Sequence, residues 1–467
     1  MIASQDSTGW WKHRGWGRVA IALLFLGGLV AMALLDDATS DPRSLDGRSE
    51  VVFWHLWGGK HRLVVEQIVD RFNDSQTAYH VSAVHMPGNN LDMKFYTSIA
   101  GGDPPDLLNQ DDPVVADWAH RGVVMPLDEL ATAEEIKDLP DWLFPAAREL
   151  GSYRGRLYAL CNGLDIRALY YNEAILEEHG LQPPRTLDEL DNLAQRIAPP
   201  ENPGARRKMY GYLPDPRRLW AWGIVFGGRF YDPETGEVTA DEEPIVRALE
   251  WMASYRKRYG AEQVTAFRTG DQALTGASFP LLQGRYAALM DGQWRVAEME
   301  DAAALAVQSG TEPPRYGVVP LPPPEGGRQR AGWVNGNFFV VPRGAKNPRG
   351  AWEFMKFWSG FGGHEADAAA ACAAGGWIPA SQRVVDQEAF QAYLKRYPKF
   401  EVFVDLAGSP HQAPVPSIPA AGYFYDEIVR AAQTAMSYDD ALPARQLLKA
   451  AANRVRQRLK EVAVEAR

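Results

Sequence analysis

The segments EVVFWHLW at 50–57, KHRLVVEQIVDRFNDSQ at 60–76 and YHVSAVHM at 79–86 follow one another with almost no chain between them. The first and third have the β-branched and aromatic density of strands. The middle one sets Val64, Ile68 and Phe72 at helical spacing beside Val65 and Val69. Strand, helix and strand at this spacing predict a βαβ unit, so the body opens as an α/β fold. The pattern continues with a helix expected over LDMKFYTSIAGG at 91–102 and a buried strand over PDLLNQ at 105–110. Segments 242–260, 348–360 and 441–464 each carry an apolar stripe and a charged face, and each predicts a helix. Proline-rich PLPPPEGG at 320–327 reads as a connection, because proline has no amide proton to give to an element interior.

What precedes this body differs in character. Lys12, His13, Arg14 and Arg18 come before an apolar run from Val19 to Leu35, after which the chain turns polar at Asp36 and Asp37. About 17 residues of helix at 1.5 Å each span roughly 26 Å, slightly short of a bilayer core. The expectation is an export signal or a membrane anchor that places the body outside the cytoplasm, with Ala31 and Ala33 framing a possible cleavage site. No cysteine follows the run closely, so attachment through a lipid is not expected. With 467 residues the chain exceeds what one core usually supports, and two domains are expected. A net charge of -10 disfavours a phosphate backbone as partner, so no nucleic acid is expected. Cys161 and Cys372, alone in so long a chain, read as buried, inert thiols.

Short motifs that encode a mechanism, such as the P-loop, HExxH, CxxC, GxSxG or an EF-hand loop, do not occur. GWGRVA at 15–20 fits a dinucleotide pattern but lies in the leader with no strand before it. The nine histidines are scattered without metal-ligand spacing, and no cofactor is expected. Scattered carboxylates still leave a glycoside-cleaving enzyme open, because its two acids need only meet in space.

Several segments, in order, resemble the family 1 extracellular solute-binding proteins, the group that includes maltose-binding protein. They are VVFWHLWGG at 51–59, GGDPPDLLNQDD at 101–112, ALYYNEAILEEHGLQPPRTLDEL at 168–190, FPLLQGRYAALMDGQW at 279–294, GWVNGNFFVVPRGAKNPRGAWEFMKFW at 332–358 and GGWIPASQ at 375–382. PVPSIPAAGYFYDEI at 414–428 resembles the family's ending. The resemblance implies a type II periplasmic-binding-protein fold, two α/β lobes joined by a hinge with a ligand cleft between them. On that reading residues 1–18 are a basic segment, 19–35 the signal or anchor and 36–49 a linker. One lobe is then 50–164 plus 332–375, the other 165–331 plus 376–467. It further implies a monomeric receptor that hands a carbohydrate to ABC permease subunits in the membrane. The 15 tryptophans suit such a cleft, since sugar rings offer apolar faces to stack on.

Candidate contacts follow from strand ends and from the resemblance. His55 and Trp57 fall on one side of the first strand at its carboxyl end, with Gly58 and Gly59 beyond, where ligands of open α/β sheets sit. Trp57 packing under the first helix is the alternative. Gln110 and Asp111 end the strand PDLL, with Asp112 before Pro113 as an alternative helix cap. Trp220 and Trp222 alternate as on a strand or extended loop, with one expected in the core and Trp220, nearer in role to Gly227 and Gly228, the better contact. The resemblance puts Trp294 against the ligand, Asp165 and Arg167 at the first crossing, Asn335 and Trp377 at the later ones, and Tyr423 and Tyr425 near the end. Asp165 and Arg167 could instead pair with each other, Asn335 cap a turn, and one tyrosine fill the core. Rival readings keep the fold with a polyamine, an iron complex or a phosphorylated small molecule as ligand, or make the chain an exported carbohydrate-active enzyme or a membrane-tethered sensor.

Overall fold

The computed structural model describes residues 47–87, 91–111, 113–200, 207–269 and 274–465. The basic segment, the apolar run and nearly all of the expected linker lie outside the described residues, as does Asp112. Among the described residues no helix is long and apolar enough to cross a membrane.

The βαβ opening forms as β1 (Ser49–His55), the helix Gly59–Ser75 and β2 (Tyr79–His85), followed by β3 (Leu107–Gln110). A small hairpin of β4 (Ser152–Tyr153) and β5 (Arg156–Leu157) leads into β6 (Leu160–Asn172). Another hairpin, β7 (Tyr231–Asp232) with β8 (Glu237–Val238), precedes β9 (Ala288–Gly292), β10 (Tyr316–Val319), β11 (Gly332–Val340) and β12 (Gln412–Ala413). The main sheet runs β2-β1-β3-β11-β6-β10, with β9 also on β6 and β12 also on β11. β1 is parallel to β2 and β3, whereas β11 is antiparallel to β3 and β6.

β6 joins two regions of sheet. Its first half pairs with β11 from Leu160 to Ile166, and its second half pairs with β9 and β10 from Arg167 to Asn172. Only Asp165 and Tyr171 of its 13 residues are half-buried and the rest are buried, as in a strand covered on both faces. The register shift beside Asn337 leaves Asn162 as the extra residue of a bulge, the usual device for re-aiming a long strand. Helices fill each side. Phe53 of β1 meets Phe354 and Trp358 of the helix Pro348–Ser359 edge to face, and Phe72 meets Phe354 at 5.0 Å. On the other side Asp191 accepts from Tyr255 Oη, Trp251 Nε1 and Arg258, fixing the helix Glu243–Tyr259 to its neighbour. The free thiols of Cys161 and Cys372 are buried, and burial pushes the Cys161 thiol up to about 12, in keeping with inert cysteines.

Close approach of β6 and β11 depends on Gly336, where a Cβ would stand 2.8 Å from the Gly163 carbonyl oxygen and 3.4 Å from Cys161 Sγ. Backbone cannot yield as a side chain can. Gly336→Ala should therefore cost about 1–3 kcal/mol and lower the calorimetric melting temperature; unchanged melting would show that the two strands have slack at this point.

Candidate functional site

Asp165 of β6 and Asn335 of β11 face each other across the antiparallel pair, and Arg167 and Trp333 continue the same faces one step along. The Asn335 amide donates to the Asp111 carbonyl oxygen at 2.6 Å, so it fastens the end of β3 to this floor. Asp165 and Arg167 form no contact ion pair, although each charge acts on the other. The Arg167 guanidinium turns back onto the Asp165 carbonyl oxygen at 2.9 Å, and the Asp165 carboxylate instead accepts from Gln293 Nε2 at 2.7 Å. Gln293 is buried and its Oε1 also accepts from the Ile166 amide, so one side chain sets both the strand and the carboxylate. Burial raises the Asp165 pKa above its ordinary value, with the Arg167 charge opposing.

Trp294 begins the helix Trp294–Gln308 directly after β9 and stays half-buried. A Cβ on Gly292 would lie 2.2 Å from its ring, so glycine is what lets the indole fold back over β9. Arg167 stands over the Trp294 ring at 5.3 Å and over the Trp333 ring at 4.3 Å. Two cavities meet at Trp294. One, of about 270 Å³, is walled by Asp215, Arg217, Arg218, Arg268, Asp291 and Arg295. The other, of about 520 Å³, is lined by Lys60, His61, Glu298, Gly375, Tyr393 and Arg396. The larger has the size of a small-molecule cleft, and the smaller falls just below that range.

The expected aromatic contacts divide. Trp57 is buried, stacking on Trp358 of the helix Pro348–Ser359 with ring centroids 5.2 Å apart and lying 5.3 Å from Trp377, rather than packing on the first helix as its alternative had it. Trp377 is buried too. The room left by Gly375 and Gly163 is filled by the Trp377 side chain, with a Gly375 Cβ only 2.4 Å from the ring. His61, not singled out from sequence, stacks on Trp377 and borders the larger cavity. His55 is 2% exposed between Phe53, Trp57 and His85, while Gln110 is buried with its amide turned to Asp92.

Three expectations need correction. Trp220 and Trp222 lie in a helix, Leu219–Val225, where a short helical turn at Pro216 capped by Asp215 runs straight into it, so no strand-like alternation exists. Both tryptophans are fully buried; Trp222 donates to Tyr212 Oη, and Trp220 is enclosed by Phe230, Phe424 and Tyr425. Trp220 only edges a separate groove of about 510 Å³ beside Glu149, Phe230 and His411. Tyr423 and Tyr425, two residues apart on the helix Ala421–Ser437, point apart as helical geometry requires. Tyr423 is exposed beside Asn453 and Arg454, whereas Tyr425 is half-buried 5.6 Å from Trp333. Paired tyrosines for iron are thereby lost, and among the described residues no three His, Cys, Asp or Glu are grouped to hold a metal. Sequence reasoning passed over Trp333, Arg217 and Arg218; Trp333 shares a strand face with Asn335, and period two would have found it.

These features define a mixed α/β, type II periplasmic-binding-protein fold. It superposes on CpMnBP1 with mannotriose bound at a TM-score of 0.70 and 22% identity, covering 86% of this chain and 99% of that one. The sugar-binding protein MalE from Xanthomonas citri gives 0.70 at 18% identity, over 89% of this chain and 98% of that one. Residues 67–400 match the bacterial extracellular solute-binding proteins, and the chain belongs to that family. Among curated relatives, the maltotriose-binding protein of Pyrococcus abyssi is 25% identical over 67% of this chain and 63% of its own length. The sn-glycerol-3-phosphate-binding periplasmic protein of Yersinia pestis is 28% identical over 30% of this chain and 34% of its own. The chain thus spans less than two thirds of the curated relatives it matches.

His55 supplies a pH test of the strand end. Burial first, then the His85 charge, lowers its pKa to about 4. The unfolded chain therefore binds the proton more readily between roughly pH 6.5 and 4. Stability from keeping His55 neutral is full above that window and falls as the pH drops through it. Thermal melts from pH 7 to 4.5 should show His55→Gln losing less stability than the parent, by up to about 3 kcal/mol; parallel curves would place His55 in contact with water.

Proposed function

We propose that this protein is the extracytoplasmic receptor of an ABC importer, capturing a mono- or oligosaccharide between two lobes and releasing it unchanged to membrane permease subunits. The observation that carries this reading is the convergence of Trp294, Trp333 and Tyr425 on the polar floor formed by Asp165, Arg167, Asn335 and Gln293, where β6 passes from one region of sheet to the other. Flat apolar rings beside fixed donors and acceptors suit a sugar's faces and hydroxyls. The family and the sugars named for CpMnBP1 and the maltotriose-binding protein support the same class. Residues 50–164 with 332–375 and 165–331 with 376–467 serve as the lobes, and closure about β6 and β11 buries the ligand. The receptor acts as a monomer on the outer side of the membrane, with the run 19–35 as its signal or tether.

Intrinsic fluorescence of the full-length protein should change saturably with at least one member of a broad mono- and oligosaccharide panel, and the sugar should be recovered intact. Trp294→Ala should weaken that binding by about 2 kcal/mol, roughly thirtyfold in Kd. Silence across the panel, or steady consumption of the sugar, would defeat the reading.

A further inference from the structure

Among the described residues, the smaller cavity beside Trp294 is lined by four arginines, Arg217, Arg218, Arg268 and Arg295, against two acids, Asp215 and Asp291. Asp215 is occupied by Arg217 and Arg268, and Asp291 by Arg295. Although burial works against it, these guanidiniums hold the Asp215 carboxyl at about 2. Asp215 acts on Arg218 only at longer range, and among the described residues no carboxylate lies within ion-pair distance of Arg218 or Arg167. Arg167 is 8% exposed, and both guanidinium carbons lie within 6 Å of the Trp333 ring, at 4.3 Å for Arg167 and 5.9 Å for Arg218.

The hydrogen-bond inventory has the same sign. Arg167 Nε, Arg218 Nε and Trp333 Nε1 are buried donors without an acceptor in the protein. Three neighbouring residues with spare donors and no spare acceptor make an incomplete network, costly unless something electron-rich completes it. Burial, and after it the charge of Arg218, lowers the Arg167 pKa to about 10, with the Asp165 and Asp291 charges opposing but not overcoming them. Hydroxyls of a neutral sugar accept hydrogen bonds but leave that charge uncancelled. A planar or tetrahedral oxyanion does both, and guanidinium forks match it.

We propose that the ligand of this cleft carries an anionic group, a carboxylate or a phosphate ester, received by Arg167 and Arg218 beside Trp333 while its ring stacks at Trp294. This rests on the carbohydrate reading and narrows it to acidic saccharides or sugar phosphates. Fluorescence titrations of the full-length protein with matched pairs test it: digalacturonate against the neutral digalactoside, and glucose 1-phosphate against glucose. One anionic member should bind at least tenfold more tightly than its neutral counterpart, and which pair responds tells carboxylate from phosphate. That preference should shrink as sodium chloride rises from 0.05 to 0.5 M. Arg218→Gln should reduce the anionic-to-neutral affinity ratio at least tenfold, and Arg218→Lys should keep part of it, with near-UV circular dichroism confirming that both variants fold. Neutral saccharides binding as well as or better than both anions, or an unchanged ratio in Arg218→Gln, would overturn the proposal while leaving a carbohydrate receptor standing. No response to either pair or to the neutral panel would remove both.

Discussion

The antiparallel pairing of β6 with β11 governs where everything else in the cleft can be. Leu160 to Ile166 pair with β11, and beyond Arg167 the same strand pairs with β9 and β10, so the crossing sits at Asp165 and Arg167. The bulge at Asn162, the glycine contact between Gly163 and Gly336, and the bond from Asn335 to the end of β3 hold that crossing in one register. A one-residue slip would turn Asp165 and Arg167 to the other face and present Ile166 in their place. Gln293 guards against this, since it bonds the Ile166 amide and the Asp165 carboxylate at once.

From that crossing the polar and aromatic groups divide the work. Trp294, Trp333 and Tyr425 offer ring faces, and Arg167 lies against the first two. Trp57, Trp358 and Trp377 form a second aromatic group that is packed on itself, with His61 as its cover. The high tryptophan content therefore has two origins. Most of these rings are buried and build rigid walls, and Trp294 is left half-buried where the two cavities meet. Rigidity of the walls matters for binding, because preformed surfaces lose less freedom when a ligand arrives.

Much of this frame was legible in the sequence. The opening strands, the helix over Leu91–Ala100, the helix Glu243–Tyr259 and the tail helix all have the periodicity that their burial demands. The failures came where a local pattern has two physical solutions. LWAWG alternates large and small residues as a strand would, yet Pro216 and the Asp215 cap start a helix just before it. Trp377 was expected at a ligand, and its indole instead takes the space that Gly375 leaves. Asp165 and Arg167 were close in sequence and opposite in charge, but strand geometry gave each a better partner, Gln293 for one and a carbonyl for the other. Arg218 was invisible because its importance lies in a missing acid, which only the three-dimensional inventory of charges reveals.

The claim on which the account turns is that ligand binds over the crossing of β6 and β11. A crystal structure of the protein grown with a saccharide that perturbs its fluorescence tests this most directly. It should show the sugar between the lobes, against Trp294 and within hydrogen-bond reach of Asp165 or Arg167. A sugar seated instead in the separate groove beside Trp220 and His411, with the crossing empty, would contradict it.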